Sequence, residues 1–150
     1  MQFYNFKINK FLLIGFVLIS LVGFLDSIFL TVKYFVGTIN CSTITGCQDV
    51  LSSPYSNIFG IPVALLGAFF YLSILVSALI YIQHKNKLAI NALAWLPSIG
   101  LLFSIWLVYL QLIVIKSICI YCMGSALTST VLFILSIFIW KNKINQVDIK

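Results

Sequence analysis

Residues 88–122 read LAINALAWLPSIGLLFSIWLVYLQLIVIKSICIYC. No charged side chain interrupts the run from Leu88 to Ile115; Lys116 and Ser117 form a short polar break, and apolar residues resume at Ile118. A hydrocarbon core about 30 Å thick is crossed by about 20 helical residues. The stretch therefore predicts two membrane spans, over 88–115 and 118–140, joined by a very tight turn with Cys119-Ile120-Tyr121-Cys122 opening the second. Working outward, two further runs have the same character. One covers 11–32, broken only by Asp26, and the other covers 61–82. The first and second spans are linked by a long loop, 33–60. The second and third are linked by the polar turn Gln83-His84-Lys85-Asn86-Lys87, and a polar tail, 141–150, closes the chain.

Composition agrees with this pattern. The chain is 62% hydrophobic and 8% charged, with a mean hydropathy of +1.14, more apolar surface than a soluble domain of this length could keep from water. The expected class is all-α integral membrane, a single domain over 1–150 with no separate soluble module. The net charge of +6 does not point to nucleic acid, because the nine basic residues are all lysines near span ends. Lys7 and Lys10 ahead of an apolar run resemble a signal peptide. The run continues past Asp26, however, and the first alanine is Ala64, so no A-x-A cleavage site exists there.

Lysine placement predicts orientation. Lys7, Lys10, Lys85, Lys87, Lys141, Lys143 and Lys150 fall on one side, and only Lys33 and Lys116 on the other. The positive-inside rule puts both termini in the cytoplasm of an inner (cytoplasmic) membrane protein. The long first loop and the start of the fourth span then face outward. All four cysteines gather on that side, where disulfides persist.

Cys119 and Cys122 lie at i and i+3, on one helix face. The partial positive charge of a helix N-terminus stabilises a thiolate, and Lys116 adds a full charge three residues earlier. Cys41 and Cys47 bracket a short polar loop, Ser42-Thr43-Ile44-Thr45-Gly46. Two dithiols on one membrane face are sufficient to relay electron pairs by thiol–disulfide exchange, with a lipid-soluble carrier as the natural terminus. Three blander readings stand beside this one. The C-x-x-C pair packs inertly, the loop pair is a static staple, or the four sulfurs hold zinc. The loose C-x5-C spacing and an oxidising compartment argue against zinc, and no metal is expected.

A wider pattern frames these cysteines. Cys47-Gln48-Asp49-Val50-Leu51-Ser52-Ser53 is followed by Phe59-Gly60-Ile61-Pro62, then Ser104-Ile105-Trp106-Leu107, then the C-x-x-C. From about Leu30 to Ala126 this ordered set resembles the vitamin K epoxide reductase family, specifically its bacterial homologues. The resemblance implies a four-transmembrane-helix bundle around a quinone, with a short helix in the first extracytoplasmic loop as a cap. It implies that Cys122 reacts with the quinone, that Cys119 exchanges with the loop, and that Cys47 attacks Cys119. Cys41 then faces a soluble thioredoxin-fold (DsbA-like) protein. Ser53 matches a family serine near the relay, and Phe59 is implied at the quinone. The expected acceptor is a membrane quinone of ubiquinone or menaquinone type, and the activity a thiol oxidase supporting disulfide formation. Since the chain ends at Lys150 without the fused thioredoxin-like domain of many bacterial relatives, the partner is expected to be a separate protein.

Two departures bear on the substrate. Some relatives carry a tyrosine four residues after the second C-x-x-C cysteine, where this chain has Ala126, and residues 61–71 are nearly all apolar, without an evident anchor for a quinone carbonyl. Both speak against vitamin K epoxide rather than against a plain quinone. The alternatives are a quinone or quinone-epoxide reductase, or a non-enzymatic membrane packing or metal-binding protein. The unrelated four-helix thiol oxidases of the DsbB type place their C-x-x-C before the loop pair, the reverse of the order here. Elsewhere, His84 reads as solvated surface and Asp26 as a partner for Lys33 or a proton relay. Pro97 and Gly100 read as a bend in the third span, Tyr34, Tyr81 and Trp140 as interfacial anchors, and Tyr121 as tuning the exchange.

Overall fold

The computed structural model describes residues 9–36 and 46–147, with side chains placed for 9–36 and 49–141. Long apolar runs can meet their backbone donors and acceptors in lipid only by coiling, and four helices result. These are α1 (Lys10–Val36), α3 (Val63–His84), α4 (Lys87–Tyr109) and α5 (Ile120–Val147), with α2 (Gly46–Ser52) a short helix between the first two. A π-helical segment, Leu110–Ile115, prolongs α4. All four long segments are apolar enough to cross a bilayer. The chain is thus a multi-pass membrane bundle of the expected class, and the short helix stands in the first loop as expected.

The long helices pack in a ring, with the main contacts α1–α3, α3–α4, α4–α5 and α1–α5. Phe16, Tyr71, Ile74, Leu93, Leu132 and Ile139 fill its core. Small residues allow the close approaches. A side chain at Gly23 would collide with the ring of Tyr71, and one at Gly100 with the ring of Phe70. Gly100 therefore serves a helix contact. Pro97 is buried inside α4.

The reversals are economical. Between α3 and α4, Lys85 adopts a left-handed conformation (φ 46°) and its N–H bonds to the Tyr81 carbonyl, while the Asn86 side chain accepts the Leu88 N–H at 3.2 Å. On the opposite side, a single 3₁₀ turn (Pro54–Ser56) leads into a two-stranded hairpin, β1 (Asn57–Ile58) and β2 (Ile61–Pro62), paired antiparallel with Ile58 opposite Ile61. Its two-residue turn is Phe59-Gly60, both at positive φ (54° and 82°), as tight hairpins of this twist require.

Two expectations are corrected. Tyr81 is no interfacial anchor; it is 4% exposed and belongs to the core. Asp26 does not pair with Lys33. Its Oδ2 is buried without a hydrogen-bond partner, and the Lys33 ammonium lies 5.3 Å from the centre of the Phe29 ring. Two helical turns separate the residues, and the aromatic face is nearer. Trp140, at the end of its span, packs edge-on against Trp95 at 5.2 Å, tying α5 to α4.

The Gly23–Tyr71 contact yields a first test. Gly23→Ala should destabilise the bundle by about 1–3 kcal/mol, the usual cost of overpacking, read as an earlier unfolding transition in detergent. An unchanged transition would mean that α1 and α3 separate easily.

Candidate functional site

Where α4, the π-helical segment, the turn and α5 meet, the chain reverses between Ile115 and Ile120. Lys116 takes a left-handed conformation (φ 54°) and its N–H bonds to the Gln111 carbonyl, which also accepts the Ser117 N–H at 3.2 Å. Cys119 immediately precedes α5, and its carbonyl accepts the first helical bond, from the Met123 N–H at 3.0 Å. Cys122 lies one turn further in. Both redox candidates thus stand at the N-terminal end of α5. Cys119 is wholly buried and Cys122 half-buried, and the two sulfurs are not joined to each other.

The short helix α2 covers this pair. Val50 and Leu51 pack with Leu30, Ala64 and Tyr121 around Cys119 and Cys122, while Asp49 Oδ2 accepts a hydrogen bond from the Ser117 hydroxyl at 3.1 Å. That bond ties the element carrying Cys47 to the turn carrying Cys119. Ser53 closes the C-terminal end of α2, with its hydroxyl donating to the Val50 carbonyl at 2.8 Å. Cys41 lies outside the described residues, and Cys47 is placed by its backbone alone, as the second residue of α2.

Beneath α2 and between the spans lies a cavity of about 330 Å³, within the roughly 300–1,000 Å³ of small-molecule sites. Cys122 borders it, as do Ser53, Phe70, Gly100, Phe103 and Leu107. Its wall is mainly apolar, with one polar belt deeper than Cys122. The Tyr71 hydroxyl donates to the Ser125 carbonyl at 2.7 Å and lies 2.8 Å from Thr128 Oγ1. The Ser129 hydroxyl donates to the Ala126 carbonyl at 3.0 Å and lies 2.6 Å from Ser104 Oγ. The Tyr71, Ser104, Ser125 and Ser129 hydroxyls line the cavity one and two helical turns below the sulfur, where they can meet the oxygens of a flat, largely apolar ligand lying along α5.

None of the remaining expected residues lines the cavity. Phe59 does not reach the cavity. It is fully exposed at the hairpin tip, because a two-residue turn with both φ values positive directs its first residue away from the strands it joins. Lys116 is exposed at the turn. Tyr121 lies at 5.1 Å from the Phe29 ring, tilted against it, and Tyr34 accepts a hydrogen bond from Asn57 Nδ2 at 3.2 Å, linking α1 to the hairpin.

Sequence reading passed over Tyr71, Gln111 and Asp49. Tyr71 was taken as the end of an apolar stretch, although a tyrosine inside a span needs a partner for its hydroxyl. Gln111 carried a clearer signal, as an amide side chain deep in the third run of apolar residues, which Asn91 shares only near its start, since polar groups in membrane segments are seldom idle. Asp49 gave no signal, because its partner is distant in the chain.

No curated protein matches this chain. The model of the Vitamin K epoxide reductase family matches residues 14–137, from early in α1 to late in α5. Spanning the four membrane helices, the capped cavity and the C-x-x-C, that match means that the chain belongs to the vitamin K epoxide reductase family, membrane oxidoreductases that couple thiol–disulfide chemistry to quinones.

Proposed function

We propose that the protein is a thiol oxidase. It takes electron pairs from a reduced extracytoplasmic thioredoxin-fold (DsbA-like) protein and passes them through Cys41/Cys47 and then Cys119/Cys122 to a membrane quinone. The observation that carries this reading is the position of Cys122, at the wall of an apolar cavity between the spans, with Cys119 buried beside it under α2. The lysine distribution supports an orientation with both termini cytoplasmic and α2 outside.

The reaction proceeds by successive exchanges, each replacing one S–S bond with another. A thiolate of the partner attacks Cys41 of the Cys41–Cys47 disulfide, and Cys47 leaves. The partner's second thiolate then releases Cys41, so that the partner is oxidised and the loop pair reduced. Cys47 attacks Cys119 of the Cys119–Cys122 disulfide, with Cys122 leaving as thiolate. Cys41 attacks Cys47, restoring the loop disulfide and freeing Cys119. When Cys119 and Cys122 close again, two electrons and two protons pass to the quinone, which becomes a quinol. The net change is a partner dithiol plus quinone giving a partner disulfide plus quinol.

The chain's own groups serve these steps distinctly. The N-terminal end of α5 directs backbone N–H dipoles toward the thiolate. The apolar wall excludes water from the site of electron transfer, and the Tyr71–Ser125 and Ser104–Ser129 hydroxyls offer polar contacts for the quinone oxygens. Ala126 lines the cavity at the position where some relatives carry tyrosine, which favours a plain quinone over an epoxide.

Three experiments test this reading. Purified protein given reduced partner and a short-chain quinone should consume quinone, and Cys122→Ser should abolish consumption; full turnover by that variant would refute the scheme. In the same assay a partner keeping only its attacking cysteine should displace Cys47 from the loop disulfide and accumulate as a mixed disulfide with Cys41, and Cys41→Ala should trap none, whereas a static staple would trap none in either chain. Ala126→Phe, which fills the cavity without touching a sulfur, should raise the KM for quinone about tenfold, equivalent to about 1.4 kcal/mol of binding, while leaving exchange between the cysteine pairs intact.

A further inference from the structure

A helix begins with backbone N–H groups that have no partner within it. In α5 the N-cap position belongs to Cys119, so Ile120, Tyr121 and Cys122 are the first three helical residues. An ordinary capping box meets the N-cap amide with a Glu or Gln at the third helical position, reaching back. Here that position holds Cys122, whose thiol is short and a weak acceptor. A C-x-x-C that opens a helix therefore displaces half of the box that would stabilise its own first turn.

The missing acceptor comes from the preceding helix. Gln111 Oε1 accepts the Cys119 N–H at 3.3 Å in a buried setting, and Gln111 is itself only 4% exposed. It stands in the π-helical segment, a widened turn of a kind often found at functional sites. Its main-chain carbonyl holds the N–H groups of Lys116 and Ser117. One residue thus meets three donors across the reversal, two through its backbone and the third through its side chain.

We propose that Gln111 is a positioning residue for the Cys119/Cys122 couple. Its carboxamide supplies from α4 the part of the capping box that the redox cysteine occupies, and so holds the first turn of α5 in register with the sulfurs. The inference rests on reading these cysteines as a redox couple. In the disulfide form the covalent bond also restrains the turn; in the dithiol form the Gln111 contact has no such help. Losing the carboxamide should therefore penalise the dithiol form more, and the couple should become harder to reduce.

The test requires neither quinone nor partner. The full chain, with Cys41 and Cys47 changed to serine, is equilibrated in detergent with glutathione redox buffers, and the Cys119–Cys122 disulfide is scored by alkylation and mass. Gln111→Met keeps the shape but removes the acceptor, Gln111→Asn keeps the amide but shortens its reach, and Gln111→Glu keeps both acceptor and reach. The Met and Asn variants should shift the equilibrium toward disulfide by about fivefold or more, roughly 20 mV for a two-electron couple, with the Glu variant nearer to the parent than either. Met and Asn variants within about twofold of the parent, or a Glu variant no better than Met, would overturn the proposal. If Gln111→Met fails to fold, the Asn and Glu pair decides. A parent that never forms the Cys119–Cys122 disulfide would instead refute the redox reading itself.

Discussion

The structure turns on one constraint. Between α4 and α5 the chain reverses at the membrane boundary with almost no loop, and the backbone donors exposed by that reversal must be met by the chain itself. In lipid-facing or buried settings an unpaired amide costs several kcal/mol. Gln111 meets three of them, and Lys116 accepts a left-handed conformation to let the chain turn. The reward is geometric. Two cysteines stand at a helix N-terminus, one wholly buried beneath a short helix and the other facing a cavity, without an intervening loop to blur their positions.

The cavity follows from how the spans pack. Gly23 lets the Tyr71 ring lie against α1, and Gly100 lets the Phe70 ring lie against α4. Between these close approaches the ring of helices leaves a gap that α2 roofs. Its wall is apolar because each lining helix is apolar throughout. Its polar belt exists because Tyr71 reaches across from α3 to hydroxyl and carbonyl groups of α5. A flat carrier with a polar head would find hydrocarbon on its faces and hydroxyls at one depth. On the proposed reading, the same arrangement would let a membrane-soluble oxidant meet the Cys122 thiol at the cavity wall.

In the proposed relay, the cap stands between the two cysteine pairs. The bond from the Ser117 hydroxyl to Asp49 is exposed and single, the type of contact worth about 1 kcal/mol. Burial of Val50 and Leu51 against the cysteine pair adds to it. Contacts of this size suit the element that, on the proposed reading, carries Cys47 into the relay.

Much of this was legible in the chain. Apolar runs of membrane length marked the four spans to within a few residues, because hydrocarbon thickness fixes helix length whatever the packing. The spacing of Cys119 and Cys122 and their place at a span's start were equally plain. Gln111 and Tyr71 were visible as polar residues in apolar runs, but nothing in their local sequence named their partners. Asp26 and Lys33 looked like a pair by charge, yet two turns of helix and a nearer aromatic ring kept them apart. Phe59 looked like a cavity residue by motif, and its backbone conformation placed it outside. The sequence by itself determined what must lie in the membrane and which atoms are chemically reactive, since both depend on residue type and local spacing. Only the tertiary structure decided which amide meets which carbonyl across the reversal, which rings rest on which glycines, and where the helices leave room, because those depend on contacts between segments that sequence order does not specify.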